Sequence, residues 1–260
     1  MLAGSNRETF LYWVGAKAGT PRKMICGMMT TDEPATERGF YSARPIVRSV
    51  ELPGPAGQLE GLLNTGGPNA RFAALICHPH PLGGGNLHNK VVFHAMKVLN
   101  DPSWGFGLPV LRFNFRGTGM SEGKHHGEHE TGDVLAAFDW LVNEYSRPVM
   151  VVGFSFGAVM SLSACCARGT SVRGLAALGL PTHAQSREYR YPFLERCTLP
   201  KLFLSGDRDQ YAPSAELERL FASAAEPKQL ALIPGADHFF SGRLGGMQRA
   251  LALWLKERLQ

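Results

Sequence analysis

Residues 149–166 read VMVVGFSFGAVMSLSACC. The apolar run at 149–152 has the character of a buried strand and 158–166 that of an apolar helix, so the chain must reverse within Gly153-Phe154-Ser155-Phe156-Gly157. A serine stands at that corner. The five residues fit G-x-S-x-G, a turn in which strand gives way to helix through a strained serine, while flanking glycines admit a backbone approach that side chains would block.

Outward from this corner, the chain from residue 44 alternates strand-like and helix-like segments. IVRSVELP (46–53) and GQLEGLLN (57–64) predict a hairpin across Gly54 to Gly57, and RFAALICHP (71–79) predicts a buried strand. HNKVVFHAMKVLN (88–100) has apolar residues at helical spacing, GLPVLRFNF (107–115) is a further strand, and GDVLAAFDWLVNEY (132–145) is an amphipathic helix with Asp133 in its first turn. After the corner, strands are expected in VRGLAALGLP, LPKLFLSG and KQLALIPG, with helices in PSAELERLFASAA and GMQRALALWLKERL. Continuously apolar strands alternating with helices imply a mostly parallel sheet covered on both faces, with ligands at the carboxyl ends of the strands.

The 260 residues, 44% of them hydrophobic, suffice for one large core and one domain. Residues 44–260 are expected to form it. Residues 1–43 mix Gly, Thr, Met and charges without sustained periodicity and read as an N-terminal extension whose role the sequence leaves open. The formal charge of +5 is spread among acids rather than gathered into blocks, which argues against a nucleic-acid partner. Five cysteines include no C-x-x-C pair, and Cys77, Cys165 and Cys166 lie inside apolar runs, so they read as reduced core thiols of a cytoplasmic protein. The run 10–14 is too short for a signal-peptide core, and no segment is long enough to cross a bilayer.

A serine hydroxyl is a poor nucleophile until a base takes its proton and an acid orients that base. Asp207 and Asp209 follow the strand in LPKLFLSGDRDQYAP (199–213), and His238 follows the next in LALIPGADHFF (230–240). The resulting order is Ser, Asp, His. With these loops in place, the chain resembles the α/β-hydrolase fold family over residues 44–260. CHPHPLGGGNLHNKVV, RFNFRGTGMSEG and GDRDQYAP narrow the resemblance to small bacterial serine hydrolases related to dienelactone hydrolases and short-chain carboxylesterases.

Position alone does not separate the two aspartates, since Asp207 also suits a loop-holding hydrogen bond. The resemblance selects Asp209, through the pattern G-x-x-D-x-x-x-P at Gly206, Asp209 and Pro213. It also implies an oxyanion hole with one backbone donor at Phe156, after the serine, and another in the loop after residue 77. There Pro79 and Pro81 have no N–H, which leaves His80 first and Leu82 second. Phe154, Leu82 and Phe239 are the expected apolar pocket, although buried phenylalanines are more often core.

The cluster His125, His126 and His129 lacks metal-site order and reads as a solvated loop or a rim near the substrate. Arg112 and Arg116 flank a strand end and could pair with an acid substrate, whereas the resemblance points to a structural turn. The implied fold has a minimal lid, and the implied activity is hydrolysis of small-molecule esters without metal or organic cofactor. Thioesterase, lactone hydrolase and small peptidase share the same constellation. A catalytically silent ligand-binding scaffold is the rival from another class.

Overall fold

The computed structural model describes residues 11–14, 22–24, 46–168, 171–184 and 187–259. Its centre is a ten-stranded sheet whose strands lie side by side in the order 22–24, 11–14, 228–233, 201–206, 172–178, 149–154, 73–77, 110–113, 57–64 and 47–54. The expected hairpin is β3 (Val47–Gly54) and β4 (Gly57–Asn64), closed where Gly54 pairs Gly57. Six strands follow in parallel: β5 (Ala73–Cys77), β6 (Val110–Phe113), β7 (Val149–Phe154), β8 (Val172–Leu178), β11 (Lys201–Gly206) and β12 (Lys228–Ile233).

Helices cover both faces, because alternate residues of each central strand face opposite sides. Val149 and Val151 of β7 join a core under α2 (Thr131–Tyr145), α3 (Phe156–Cys166) and α4 (Ser214–Ser223). Met150, Val152 and Phe154 join a second core under α1 (Lys90–Asn100) and α5 (Leu244–Arg258). This is the doubly covered, mostly parallel architecture that the resemblance implies.

Of residues 1–43, Leu11–Val14 and Arg22–Met24 are described. They form β1 and β2, and β1 pairs antiparallel with β12 along the sheet edge. The other residues of that segment lie outside the described part of the chain. Between β8 and β11, residues 182–198 hold a small hairpin, β9 (His183–Ala184) with β10 (Arg187–Glu188), and a 3-10 turn at Pro192–Glu195. No separate lid layer is present among the described residues.

The reading of the cysteines needs correction. Cys77 and Cys165 are free and buried, and burial pushes the Cys165 thiol up to about 12. Cys166, however, is bonded to Cys197 as a disulfide. The pairing comes from tertiary structure: the last residue of α3 meets the segment returning from the 3-10 turn, 31 residues later, with Cα atoms 5.2 Å apart.

Candidate active site

The corner in the chain is as tight as the glycines imply. Ser155 has φ 54° and ψ −117°, a left-handed backbone that costs a non-glycine residue energy. A Cβ on Gly157 would stand 2.2 Å from the Cys77 carbonyl oxygen, and one on Gly153 would stand 2.4 Å from that of Gly157. Strand and helix therefore close on each other only with glycine at both positions. Ser155 N–H donates to the Leu178 carbonyl on β8 at 2.9 Å, fixing the corner above the sheet.

Loops from the carboxyl ends of β7, β11 and β12 bring three side chains together. Ser155 Oγ lies 2.9 Å from His238 Nε2, and His238 Nδ1 lies 3.0 and 2.9 Å from Asp209 Oδ1 and Oδ2. Asp209 also accepts from Ser205 Oγ at 2.8 Å and from the Tyr211 N–H at 2.8 Å. Asp209 and His238 are both buried. Burial opposes ionisation of Asp209, but the hydrogen bond and charge of His238, with the bonds from Ser205 and Tyr211, hold the carboxyl below its ordinary range.

Asp207 is elsewhere. It is exposed, and its Oδ1 accepts the Gly235 N–H at 2.7 Å, joining the loop after β11 to the loop that carries His238. Asp237 holds that second loop further along, accepting from the N–H groups of Phe239 and Ser241 at 3.1 and 2.8 Å.

The loop after β5 starts from a fixed histidine. His78 is fully buried, with Nδ1 2.6 Å from the Pro79 carbonyl and Nε2 accepting the Phe115 N–H at 3.0 Å. Burial lowers its pKa to about 4. Beyond it the chain turns through a 3-10 segment, Pro81–Gly83, in which the Leu82 N–H is committed to His80 Nδ1 at 3.2 Å. Of the two loop donors expected from sequence, that contact occupies the second. Phe156 is the first residue of α3, so its N–H belongs to the amides that a helix leaves without an internal partner. Gly85 serves the turn: a Cβ there would stand 2.1 Å from the Pro79 carbonyl oxygen.

Ser155 and His238 open onto a cleft of about 480 Å³ whose walls include His80, Leu82, Phe156, Tyr189, Tyr211 and Phe239. Leu82 and Phe239 stand exposed at this cleft. Phe154 does not line it: its ring is fully buried in the core under α1 and α5, 5.2 Å from the His238 ring. Its parity in β7, shared with Met150 and Val152, turns it away from the cleft. Tyr189, Tyr211, Asn89 and Ser205 escaped the sequence reading; Ser205 left one signal, a polar residue inside the buried run of β11.

The histidine cluster and the arginines take structural places. His126 and His129 are exposed and their rings stack, centroids 3.9 Å apart. His125 is half-buried with its ring 4.8 Å from that of His80 on the cleft wall, so of the two expected places it takes the rim rather than the solvated loop; the buried Glu130 carboxylate draws this loop inward by accepting the N–H groups of His126 and Gly127 at 2.6 and 2.9 Å. No cluster able to hold a metal ion occurs among the described residues. Arg116 binds the buried Asp133 carboxylate, with Nη2 to Oδ1 at 2.6 Å, and Arg112 donates to the Leu87 carbonyl and Asn64 Oδ1. Among the described residues no helix is long and apolar enough to cross a membrane.

Known proteins agree with this architecture. A family model described as an alpha/beta hydrolase domain matches residues 78–250, and the chain belongs to that family. An uncharacterized protein of Rickettsia prowazekii is 35% identical over 207 residues, covering 76% of this chain and 84% of the relative. Among solved structures, an alpha-beta serine hydrolase homologue from Coxiella burnetii is 31% identical, with TM-score 0.70, covering 79% of this chain and 96% of that one. A Xanthomonas campestris protein described as an a/b serine hydrolase without lid is 26% identical, with TM-score 0.70, covering 85% and 97%.

Proposed function

We propose that the protein is a serine hydrolase that cleaves carboxylic esters of short to medium acyl chain through an acyl-enzyme. The observation that carries this reading is the continuous line from Ser155 Oγ through His238 to Asp209, at 2.9 Å and 2.9–3.0 Å, opening on a cleft. His238 Nε2 takes the Ser155 proton as Oγ bonds to the acyl carbon, then returns it to the departing alkoxide. Water repeats the sequence: its proton passes to His238, its oxygen bonds to the acyl carbon, and Ser155 leaves with the proton. Asp209 holds Nδ1–H and balances the imidazolium. The N–H groups of Phe156 and His80 receive the oxyanion in both halves.

A cleft of about 480 Å³ lies within the range of small-ligand sites and favours moderate acyl groups. The test is a fluorophosphonate probe followed by p-nitrophenyl esters of graded chain length, run beside thioesters, lactones and peptide amides. Labelling of Ser155 with fastest turnover of esters is expected, unchanged by a chelator. Ser155→Ala is expected to lose at least roughly a thousandfold in rate. Absence of labelling supports the silent scaffold, preference for another acyl donor reassigns the substrate, and loss with EDTA restored by zinc overturns the metal-free mechanism.

A further inference from the structure

We propose that His125 is a positioning residue for the oxyanion pocket, its ring seating the two residues, His80 and Phe156, whose backbone N–H groups receive the negative charge. This inference rests on the esterase reading above. His125 reaches the site from the loop between β6 and α2, and its side chain is only 12% exposed. Its ring centroid lies 4.8 Å from that of His80 and 5.4 Å from that of Phe156, each at 68°, while the His80 and Phe156 rings are 5.0 Å apart. The three rings close a triangle of tilted and edge-on contacts, the geometry that aromatic pairs favour.

A buried acid holds the backbone of the loop that carries the His125 ring. Besides accepting the His126 and Gly127 N–H groups, Glu130 places Oε1 2.9 Å from His125 Nδ1, inside ion-pair range and off the hydrogen-bonding direction. On the far side, the Phe115 ring packs 5.4 Å from that of Phe156, and its N–H is bound to His78 at the root of the loop after β5.

The two expected donors sit in different local frameworks. Phe156 begins a helix, whereas the turn around His80 is closed by bonds within itself, from the Gly83 and Gly85 N–H groups to the His80 carbonyl and from Leu82 N–H to its ring. Contact with the His125 ring seats that turn against the protein body. Emptying the space beside His80 lets the loop shift, and displacements of about 1 Å at a reacting centre cost on the order of a hundredfold in rate.

The test measures kcat, KM and inhibition by a trifluoromethyl ketone, which Ser155 converts to a tetrahedral adduct with its oxyanion in the same pocket. His125→Ala is expected to lower kcat by roughly ten- to a hundredfold, to weaken the ketone by a similar factor and to leave KM within about twofold. His125→Phe, which keeps a flat ring, is expected to recover most of the loss. His125→Leu should fall between them, so Leu against Phe decides if the alanine variant does not fold. His126→Ala should match the wild type. The inference is overturned by wild-type kcat in the alanine or leucine variant, by a kcat loss without weaker ketone binding, or by a phenylalanine variant as impaired as alanine. A wild-type protein inert towards esters and ketone overturns the esterase reading itself.

Discussion

Two aspartates separated by one residue have different surroundings, and their substitutions should part accordingly. Asp209 is buried against His238 Nδ1, so Asp209→Asn disturbs the tautomer and removes the charge facing an imidazolium; turnover is expected to fall by up to roughly ten-thousandfold. Asp207 is exposed and holds Gly235, so Asp207→Asn is expected to stay within about threefold in turnover, with a small loss of thermal stability. Steady-state kinetics and melting curves on both variants check this, and reversed effects would reassign the acid. Sequence reading chose between them only by family resemblance, because two positions at one strand end look alike until the fold turns one inward.

His78 adds a pH effect at the same scale. An unfolded histidine takes its proton near pH 6.5, whereas the folded one holds off until about pH 4. Between those values the unfolded state carries more protons, so stability falls as the solution is acidified, by about 3 kcal/mol in total from this residue. Asp209 is depressed instead; its contribution persists above the ordinary carboxylate range and fades as pH falls through its lower folded value. Urea unfolding between pH 7 and 4.5 should show the His78 loss in the wild type and a shallower dependence in His78→Gln. Equal slopes would remove His78 as the cause.

Among elements, the parallel strands were legible because β5 and β7 are buried throughout as unbroken apolar runs and the other parallel strands are mostly apolar. Phe154 was misplaced by the same property: with every residue of β7 apolar, pattern alone does not say which side faces ligand, and parity with Met150 and Val152 decides. The two-residue strands β9 and β10 have no periodicity to read. Nor does spacing reveal Cys166–Cys197, which joins the end of the helix that follows Ser155 to the segment carrying Tyr189 of the cleft wall. Closing 31 residues of sequence constrains the unfolded chain by about 3–4 kcal/mol in the loop-entropy account. Cys166→Ser, or reduction by dithiothreitol, should lower the urea midpoint accordingly. A midpoint indifferent to reductant would show that the bond contributes no stability.

At the scale of the whole molecule, the cleft residues come from the chain between β5 and α5, and none described lies in residues 1–43. The order Ser, Asp, His was readable because each loop leaves the carboxyl end of a recognisable strand; the place of the N-terminal segment was not, since β1 and β2 take their position from an edge supplied over two hundred residues later. A chain starting at Gly39 is expected to keep the proposed hydrolysis when dilute, and an inactive dilute form would mean that the segment supports the site. The same truncation strips β1 from β12 and leaves a row of unpaired amides and carbonyls along Leu230, Ala231 and Leu232. Such an edge is a template for another copy, so concentration-dependent self-association is expected by light scattering, and a monomer at every concentration would show the bare edge to be harmless. Proteolytic trimming of the N-terminus would then act on colloidal fate before chemistry: the short strand would be the guard against polymerisation, and a nicked enzyme would be lost to aggregates while its serine was still reactive.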